Sequence, residues 1–425
     1  LWHIFYMDNL DYNQREGNQE RQDTQNNQQV SNNSEQNTQN TAPNQASEPQ
    51  HSRQAPFSGV TNFSGPTNAD YNVSDEVKEV DKELEDLLKK QTAKIKVVGV
   101  GGGGNNSLSR MKEIGIRGGE LIAINTDAQD LLYANSDQKI LLGKELTGGL
   151  GAGSNPKIGE ESAKESQSEI KKKLAGADMV FITCGLGGGT GTGAAPEIAR
   201  ISRKQNALTI GVVTLPFTIE GKKRIENAMN GLEKMEAMVD TLIVIPNDKL
   251  LELAPELPLH TAFKISDEIL TNAVKGVTEL VTTSGLVNLD FADIKAVMAD
   301  GGVSLIGMGE SDIENRSLDA IEKAIQNPLL DVDISNATGA LVNVVGGSDM
   351  SLDECKEIIE KVGEKLSPDA KLIWGAQISP DMEKSIRVLL IVTGVKSSQI
   401  LGQTESMDSI RHREIEEELG IDFFE

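Results

Sequence analysis

The chain has 425 residues, with 65 acidic side chains against 41 basic ones and a formal net charge of −24 at pH 7. Such an acidic surface repels nucleic-acid phosphates, so we do not expect nucleic-acid binding. No apolar run approaches the roughly 20 residues that cross a bilayer, so we do not expect direct membrane insertion either. The two cysteines, Cys184 and Cys355, are too few for a disulfide framework and fit a reducing, cytoplasmic compartment.

Residues 1–73 are predicted to be a disordered extension. Asn, Gln, Ser and Thr dominate this stretch, which cannot bury enough apolar area to offset the entropy of ordering. We expect translation to start at Met7, because residues 1–6 are apolar but lack the basic start and the length of a signal peptide. Residues 74–92 are predicted to form a helix with Ser74 as its N-cap.

Short apolar runs alternate with helical patterns over residues 93–260. Buried parallel strands connected by helices produce this pattern, which predicts an α/β domain with a Rossmann-like, doubly wound parallel sheet. The predicted strands are 94–100, 121–125, 179–184, 207–213 and 242–245.

A long helix is predicted at residues 261–284, apolar over much of its circumference and therefore buried between two domains. Residues 285–396 are predicted to form a smaller α+β domain. Its predicted elements are strands at 340–345, 371–373 and 387–393 and helices at 291–298 and 352–366. Residues 397–425 are predicted to be a flexible tail that ends in a short apolar and acidic docking peptide.

A first glycine-rich loop, Gly99–Asn106, lies between a predicted strand and a predicted helix. Backbone N–H groups at a helix N-terminus can approach an anion there. The loop also matches the G-x-G-x-x-G pattern, and Asp127 lies where a dinucleotide-binding fold places its ribose-binding acid. A nicotinamide-dependent oxidoreductase is therefore an alternative at this point.

A second glycine-rich loop, Gly187–Gly193, lies between the predicted strand at 179–184 and a helix predicted at Ala194–Ile201, and it carries Thr190 and Thr192 between its glycines. Two anion cradles at the carboxyl ends of neighbouring strands suit a chain of phosphates better than a single pyrophosphate. This loop therefore favours a nucleoside triphosphate over a dinucleotide.

The second loop resembles the signature of the tubulin and FtsZ superfamily, and the similarity runs from about Lys94 to Val395. The sequences at Thr183–Leu186 and Ile373–Gly375 resemble those of archaeal members more than those of bacterial members. The segments that favour the FtsZ family within that superfamily are Ala123–Gln129, Gly149–Gly153, Ile245–Asp248 and Asn288–Asp293.

The resemblance implies a tubulin/FtsZ-like fold that binds GTP, hydrolyses it to GDP and phosphate and uses Mg²⁺. Phe263 would stack on the base and Asp267 would accept hydrogen bonds from guanine, whereas core packing is the alternative for Phe263. Glu220 and Arg224 would contact the ribose, and an ordinary helical ion pair is the alternative. The nucleotide-binding residues implied in addition are Gly102, Gly103, Gly104, Asn105, Asn106, Gly189, Thr190, Gly191 and Asn247.

The resemblance also implies that hydrolysis needs a second copy of the chain. Asn288, Asp290 and Asp293 match a loop that enters the nucleotide pocket of the next subunit in a head-to-tail filament, where the carboxylates would help water attack. The alternative for Asp290 is a helix N-cap. None of the four histidines sits in a metal-ligand pattern, so no protein metal site is predicted.

The family further implies a role in the cell-division ring at mid-cell and a membrane-anchoring adaptor bound to the C-terminal tail. A tubulin-like GTPase that controls shape rather than division is the alternative. One departure from the family pattern is Gly148, where an arginine is common. We expect this change to affect loop mobility or assembly kinetics and not nucleotide binding.

Overall fold

The computed structural model describes residues 93–253, 258–283, 285–287, 289–330 and 334–395, although nothing is assigned to the side chains of residues 251–253, 259 and 260. The predictions for the N-terminal extension, for the helix at 74–92 and for the tail at 397–425 lie outside these residues. Asn288 also lies outside them.

Six parallel strands form the first part of the sheet, in the order β3-β2-β1-β4-β5-β6. This order places the carboxyl ends of β1 and β4 side by side, as the two glycine loops predicted. The strands are β1 Ile95–Val100, β2 Gly119–Asn125, β3 Gln138–Leu141, β4 Met179–Gly185, β5 Leu208–Leu215 and β6 Thr241–Pro246.

Helices cover both faces of this sheet, which confirms the doubly wound fold. Neighbouring residues of a strand point to opposite faces, so Val97 belongs to one buried cluster and Val98 to the other. The helices of this half are α1 Gly101–Ile114, α2 Ala128–Tyr133, α3 Lys144–Thr147, α4 Pro156–Glu165, α5 Gln167–Leu174, α6 Thr190–Arg203, α7 Lys222–Met238 and α8 Asn247–Leu253.

The long helix α9, Leu259–Thr282, connects the two halves and matches the predicted central helix. Its apolar residues enter the core that it shares with the sheet. Gly276 lets the helix approach β-strand residues of the second half closely, and its carbonyl accepts a hydrogen bond from Asn343 Nδ2 at 3.4 Å. At about 1.5 Å per residue, α9 is about 36 Å long.

The second half extends the same sheet through β7-β10-β8-β9, with β10 antiparallel to both of its neighbours. Parallel pairing of Thr241–Ile243 with Gly302–Ser304 joins the two halves. A separate buried cluster lies under its helices, as expected for a smaller α+β unit. Its elements are α10 Phe291–Met298, β7 Gly302–Ser311, α11 Arg316–Ile325, β8 Gly339–Gly346, α12 Leu352–Gly363, β9 Lys371–Ile378 and β10 Ile386–Thr393.

Strands β3 and β7 were not predicted, and β9 is longer than predicted. Glycines interrupt the apolar pattern of β7, where Gly307 and Gly309 lie so close to α11 that an added Cβ atom would overlap carbonyl oxygens of Ala324 and Ala320. Glycine in a strand often marks such a close approach, which weakens the sequence signal. No helix among the described residues is long and apolar enough to cross a bilayer.

Candidate nucleotide-binding site

The first glycine loop passes directly from β1 into α1, with Gly101 at a positive φ of 72°. An added Cβ at Gly99 would lie 2.5 Å from the Gly104 carbonyl oxygen, and one at Gly104 would overlap the Thr183 carbonyl oxygen. These two glycines therefore let α1 pack closely on β1 and β4. Gly102 and Gly103 are exposed at the N-terminus of α1, where the helix dipole favours an anion.

Two asparagines follow these glycines, and the structure places them differently. Asn105 is only 2% exposed, and its Nδ2 donates to Asp130 Oδ2 at 3.3 Å. Asn125, at the end of β2, donates to the same carboxylate oxygen at 2.5 Å. Asn105 therefore fixes the loop to α2, whereas Asn106 is exposed on the loop.

The second glycine loop leads into α6, which begins at Thr190 and not at Ala194 as predicted. Glycine inside a helix costs roughly 1 kcal/mol relative to alanine, which made the earlier start improbable from sequence. Packing outweighs this cost, because an added Cβ at Gly191 would lie 2.7 Å from the Gly185 carbonyl oxygen and one at Gly193 would overlap the Pro156 carbonyl oxygen.

The turn before α6 is held by a side chain of the helix itself. Gly187, at a φ of 102°, donates its N–H to the buried Thr192 Oγ1 at 2.8 Å. Gly188 is open, with no atom within 4 Å of an added Cβ. Gly189 and Thr190 thus stand at the start of a 14-residue helix, next to the first loop.

A third glycine-rich segment, residues 148–154, completes the cradle. Gly151 donates its N–H to the Thr126 carbonyl oxygen at 3.1 Å, and the Thr126 and Thr190 hydroxyls lie 2.7 Å apart. An added Cβ at Gly189 would lie 2.8 Å from the Asn155 backbone nitrogen. Neither this segment nor Thr126 was among the predicted site residues. The position of Thr126 was a usable signal, because it follows β2, the strand beside β1, and ligands bind outside the carboxyl ends of such strands.

Asp127, the ribose-binding acid of the alternative interpretation, has a local structural function. Its Oδ1 accepts hydrogen bonds from the Gln129 and Asp130 backbone N–H groups at 2.9 and 3.1 Å and so caps α2.

Glu220 and Arg224 lie in the segment that follows β5 and form an ion pair with each other. Glu220 Oε1 also accepts a hydrogen bond from the Phe217 backbone N–H at 2.9 Å. The ion pair considered as the alternative is therefore present, but Glu220 lies in a 3₁₀ turn and Arg224 in α7, so the pair spans Gly221 and does not lie within one helix. Because the Arg224 side chain is half exposed and such an ion pair contributes only about 0–1 kcal/mol, its guanidinium stays available to a ligand, and the ribose contact of both residues stays a prediction.

Phe263 lies on the first turns of α9 and is 39% exposed, which does not fit a core residue. The fully buried Phe217 supports it edge-on, with ring centroids 5.1 Å apart and an interplanar angle of 85°. An exposed aromatic ring on a buried aromatic support can stack on a planar base.

Asp267 follows Phe263 by four residues and therefore lies on the same side of α9. Burial raises the pKa of Asp267 above its ordinary value, while a hydrogen bond from Ser107 and the charge of Arg110 partly offset that effect. Asn247 is buried next to α9, and its Oδ1 accepts a hydrogen bond from Ser266 Oγ at 2.7 Å. Asn247 thus holds α8 to α9 beside the predicted base site.

Asp290 and Asp293 are exposed and form a capping box at the start of α10. Asp290 Oδ1 accepts the Asp293 N–H at 2.9 Å, and Asp293 Oδ2 accepts the Asp290 N–H at 3.3 Å. The N-cap alternative for Asp290 is therefore correct as a description of its local structure, and it does not exclude a second role for either carboxylate.

The two aspartates lie far from the glycine loops. Thr282, at the end of α9, packs against Gly118 just before β2, so α9 runs from the carboxyl edge of the sheet to its amino edge. Asp267 and Thr282 are 15 residues apart on this helix, which corresponds to about 22 Å. Helix α10 also ends at the amino edge, because the Met298 carbonyl accepts a hydrogen bond from Thr241, the first residue of β6.

Comparisons with known proteins identify the family of this chain. Residues 94–255 match the family model of the tubulin/FtsZ GTPase domain, and residues 302–396 match that of the FtsZ C-terminal domain. Cell division protein FtsZ 1 of Thermococcus kodakarensis is 61% identical over 327 residues, which cover 77% of this chain and 87% of that protein. The corresponding protein of Pyrococcus furiosus is 59% identical over 327 residues, covering 77% and 88%.

Among solved structures, an empty FtsZ dimer from M. jannaschii matches with a TM-score of 0.72 and 57% identity, covering 76% of this chain and 94% of that one. The GTPase-domain match rules out the nicotinamide-dependent alternative for the first loop. With both family models matched in order and relatives about 60% identical over most of their length, this chain belongs to the FtsZ family of the tubulin superfamily and is a GTPase of that family.

Proposed function

We propose that this chain is a self-assembling cell-division GTPase that hydrolyses GTP at the contact between two subunits. One observation carries the proposal: the predicted nucleotide pocket and the predicted catalytic carboxylates lie at opposite ends of α9. A single subunit therefore cannot bring Asp290 or Asp293 to its own bound nucleotide, but the neighbouring subunit in a head-to-tail contact can.

In the pocket, the first and second glycine loops hold the phosphates through backbone N–H groups at the starts of α1 and α6. Each charge-assisted hydrogen bond of this kind contributes roughly 1.5–3 kcal/mol. Phe263 stacks on the base and the Asp267 carboxylate accepts the guanine N–H groups. Adenine presents an acceptor where guanine presents the ring N–H, so this carboxylate selects GTP.

Mg²⁺ fits this site as an ion that arrives with the nucleotide. Among the residues described, no group of three or more His, Cys, Asp or Glu side chains could hold a metal by itself. Mg²⁺ is usually bound through phosphates and water with one or two protein oxygens, and the paired Thr126 and Thr190 hydroxyls offer oxygens of that kind beside the loops. The ion would neutralise phosphate charge during hydrolysis.

At the contact, Asp290 and Asp293 of the neighbouring subunit would orient the water that attacks the γ-phosphate. We assign Asn288 to the same loop from the family resemblance. A contact between two different ends of identical subunits does not close on itself, so it generates a filament.

Exposed apolar side chains at both ends of the subunit support such a contact. At the carboxyl edge, Leu150 and Ile219 are 88% and 80% exposed, and beyond the end of α9 Leu286 is 60% exposed. Apolar side chains this exposed are compatible with burial against another subunit, although only a contiguous apolar patch marks an interface by itself.

Division, and not shape control, is supported by the relatives that are about 60% identical, since they are cell division proteins. We further propose that the filament forms a ring at mid-cell in the cytoplasm. Residues 397–425 would connect it to a membrane-anchoring division adaptor.

The proposal is tested by mixing two inactive variants. G188D places a negative charge in the phosphate cradle at a position where the fold leaves open space, and D290N removes one catalytic carboxylate. In a mixed filament with equal parts of both, about a quarter of the contacts combine an intact pocket with an intact Asp290. We expect phosphate release from the mixture to reach up to about that fraction of the unaltered rate.

Each variant alone must be inactive, must melt near the temperature of the unaltered protein and must sediment with it in the presence of GTP. A mixture with no more activity than the sum of its parts, although both variants co-sediment, would refute the shared site. Activity of D290N alone at the unaltered rate would remove Asp290 from the mechanism.

A further inference from the structure

Ser107 lies on the buried side of α1, one turn after the exposed glycines of the first loop, and is only 2% exposed. Its Oγ is 2.5 Å from Asp267 Oδ1 and 3.1 Å from the Gly103 carbonyl oxygen. A serine hydroxyl has one proton to donate, and the charged carboxylate at the shorter distance is the stronger acceptor.

This contact joins the two halves of the predicted pocket. Gly103 belongs to the phosphate cradle, and Asp267 belongs to the base site on α9, 160 residues further along the chain than Ser107. The torsion that orients a carboxylate plane is broad, so an unsupported Asp side chain would not hold both oxygens in the plane of a bound base. A hydrogen bond to Oδ1 restricts that rotation.

We propose that Ser107 is a positioning residue for guanine recognition. Its hydroxyl orients the Asp267 carboxylate toward the N1–H and 2-amino groups of the base and ties it to the first glycine loop. The inference rests on the proposed function of Asp267 as the guanine acceptor. Ser107 is buried on the inner side of α1, and in this proposal it acts through Asp267 without touching the nucleotide.

The test compares GTP with inosine triphosphate, which lacks the 2-amino group and so makes one hydrogen bond fewer to the carboxylate. We expect S107A to bind GTP about tenfold more weakly, the loss expected for one hydrogen bond to a charged group. We expect inosine triphosphate to lose less, so that the preference for GTP falls. S107T keeps the hydroxyl and should restore both values.

Ser109 offers a matched control on the same helix. Its hydroxyl donates to the Asn105 carbonyl oxygen at 2.9 Å and accepts a hydrogen bond from the Asn135 N–H at 3.0 Å, so neither partner is Asp267. S109A should therefore keep the unaltered preference for GTP in calorimetric titrations. If S107A does not fold, S107C preserves the volume with a much weaker donor and is expected to give the same loss of preference.

D267N separates failure of the inference from failure of the proposed function. If D267N loses the preference for GTP while S107A keeps it, or if S107A weakens both nucleotides equally, the positioning role of Ser107 is refuted. If D267N itself binds GTP with the unaltered preference, the guanine site has been placed wrongly. In the D267N background, S107A is expected to cause no further change in preference.

Discussion

Asp290 has an observed capping role and a proposed catalytic role, and substitutions of different chemistry distinguish them. As an N-cap, the Asp290 carboxylate accepts a hydrogen bond from the Asp293 N–H. The Asp293 carboxylate in turn accepts one from the Asp290 N–H, which completes the capping box. As a catalytic group it would supply a negative oxygen to the next subunit. Serine caps helices about as well as aspartate but carries no charge. D290S should therefore preserve the helix start while removing the carboxylate.

The expected magnitudes differ strongly between the two functions. Loss of an N-cap costs about 1 kcal/mol, which for a folded region of roughly 300 residues lowers the melting temperature by about 1–2 °C. Loss of a carboxylate that positions the attacking water lowers turnover by about 10²- to 10⁴-fold. We expect D290A to show both effects and D290S to show only the loss of turnover.

Melting curves and phosphate release measured on equal amounts of sedimented polymer decide between these outcomes. Ser351 caps α12 in the same kind of box, with the Glu354 N–H donating to Ser351 Oγ at 3.2 Å, and provides the control. S351A should lower the melting temperature like D290A without changing turnover in polymer. Unaltered turnover of polymerised D290S would show that Asp290 is a cap and nothing more.

Burial raises the pKa of Asp267, so keeping its carboxylate ionised costs stability, and this cost appears as the pH rises through that pKa. D267N should therefore raise the melting temperature at neutral pH. GTP binding to the unaltered protein, followed by calorimetry, should weaken as the pH falls toward that pKa. Gly148 has a φ of 60° and open space around an added Cβ. G148R should therefore lower the free energy of unfolding, measured with denaturant, by only about 1–2 kcal/mol and leave GTP affinity unchanged. A large loss of GTP affinity would contradict this expectation. G193A should lower the free energy of unfolding by about 1–3 kcal/mol, because its Cβ would overlap the Pro156 carbonyl oxygen. G363A should be neutral or stabilising, because an added Cβ there meets nothing within 4 Å. Equal melting temperatures for the two variants would refute the packing argument.

Much of the fold could be predicted because its signals are local. The apolar runs of β1 and β4 and the glycines after them are contiguous in the sequence, and the apolar circumference of α9 indicated burial on several sides. Strand β7 was missed because its glycines serve contacts with α11, which no local pattern reveals. The start of α6 was placed late for the same reason, since its glycines are tolerated only through packing against α4 and β4.

The sequence by itself indicated a phosphate-binding pocket, because a glycine loop between a strand and a helix has the same anion-binding geometry wherever it occurs. Only the tertiary structure decided which distant side chains meet. It brings Ser107 to Asp267 and Thr126 to Thr190, and it places Asp290 beyond the far end of α9. Such contacts depend on how whole elements pack, and packing is a property of the assembled core that no single segment of the chain encodes.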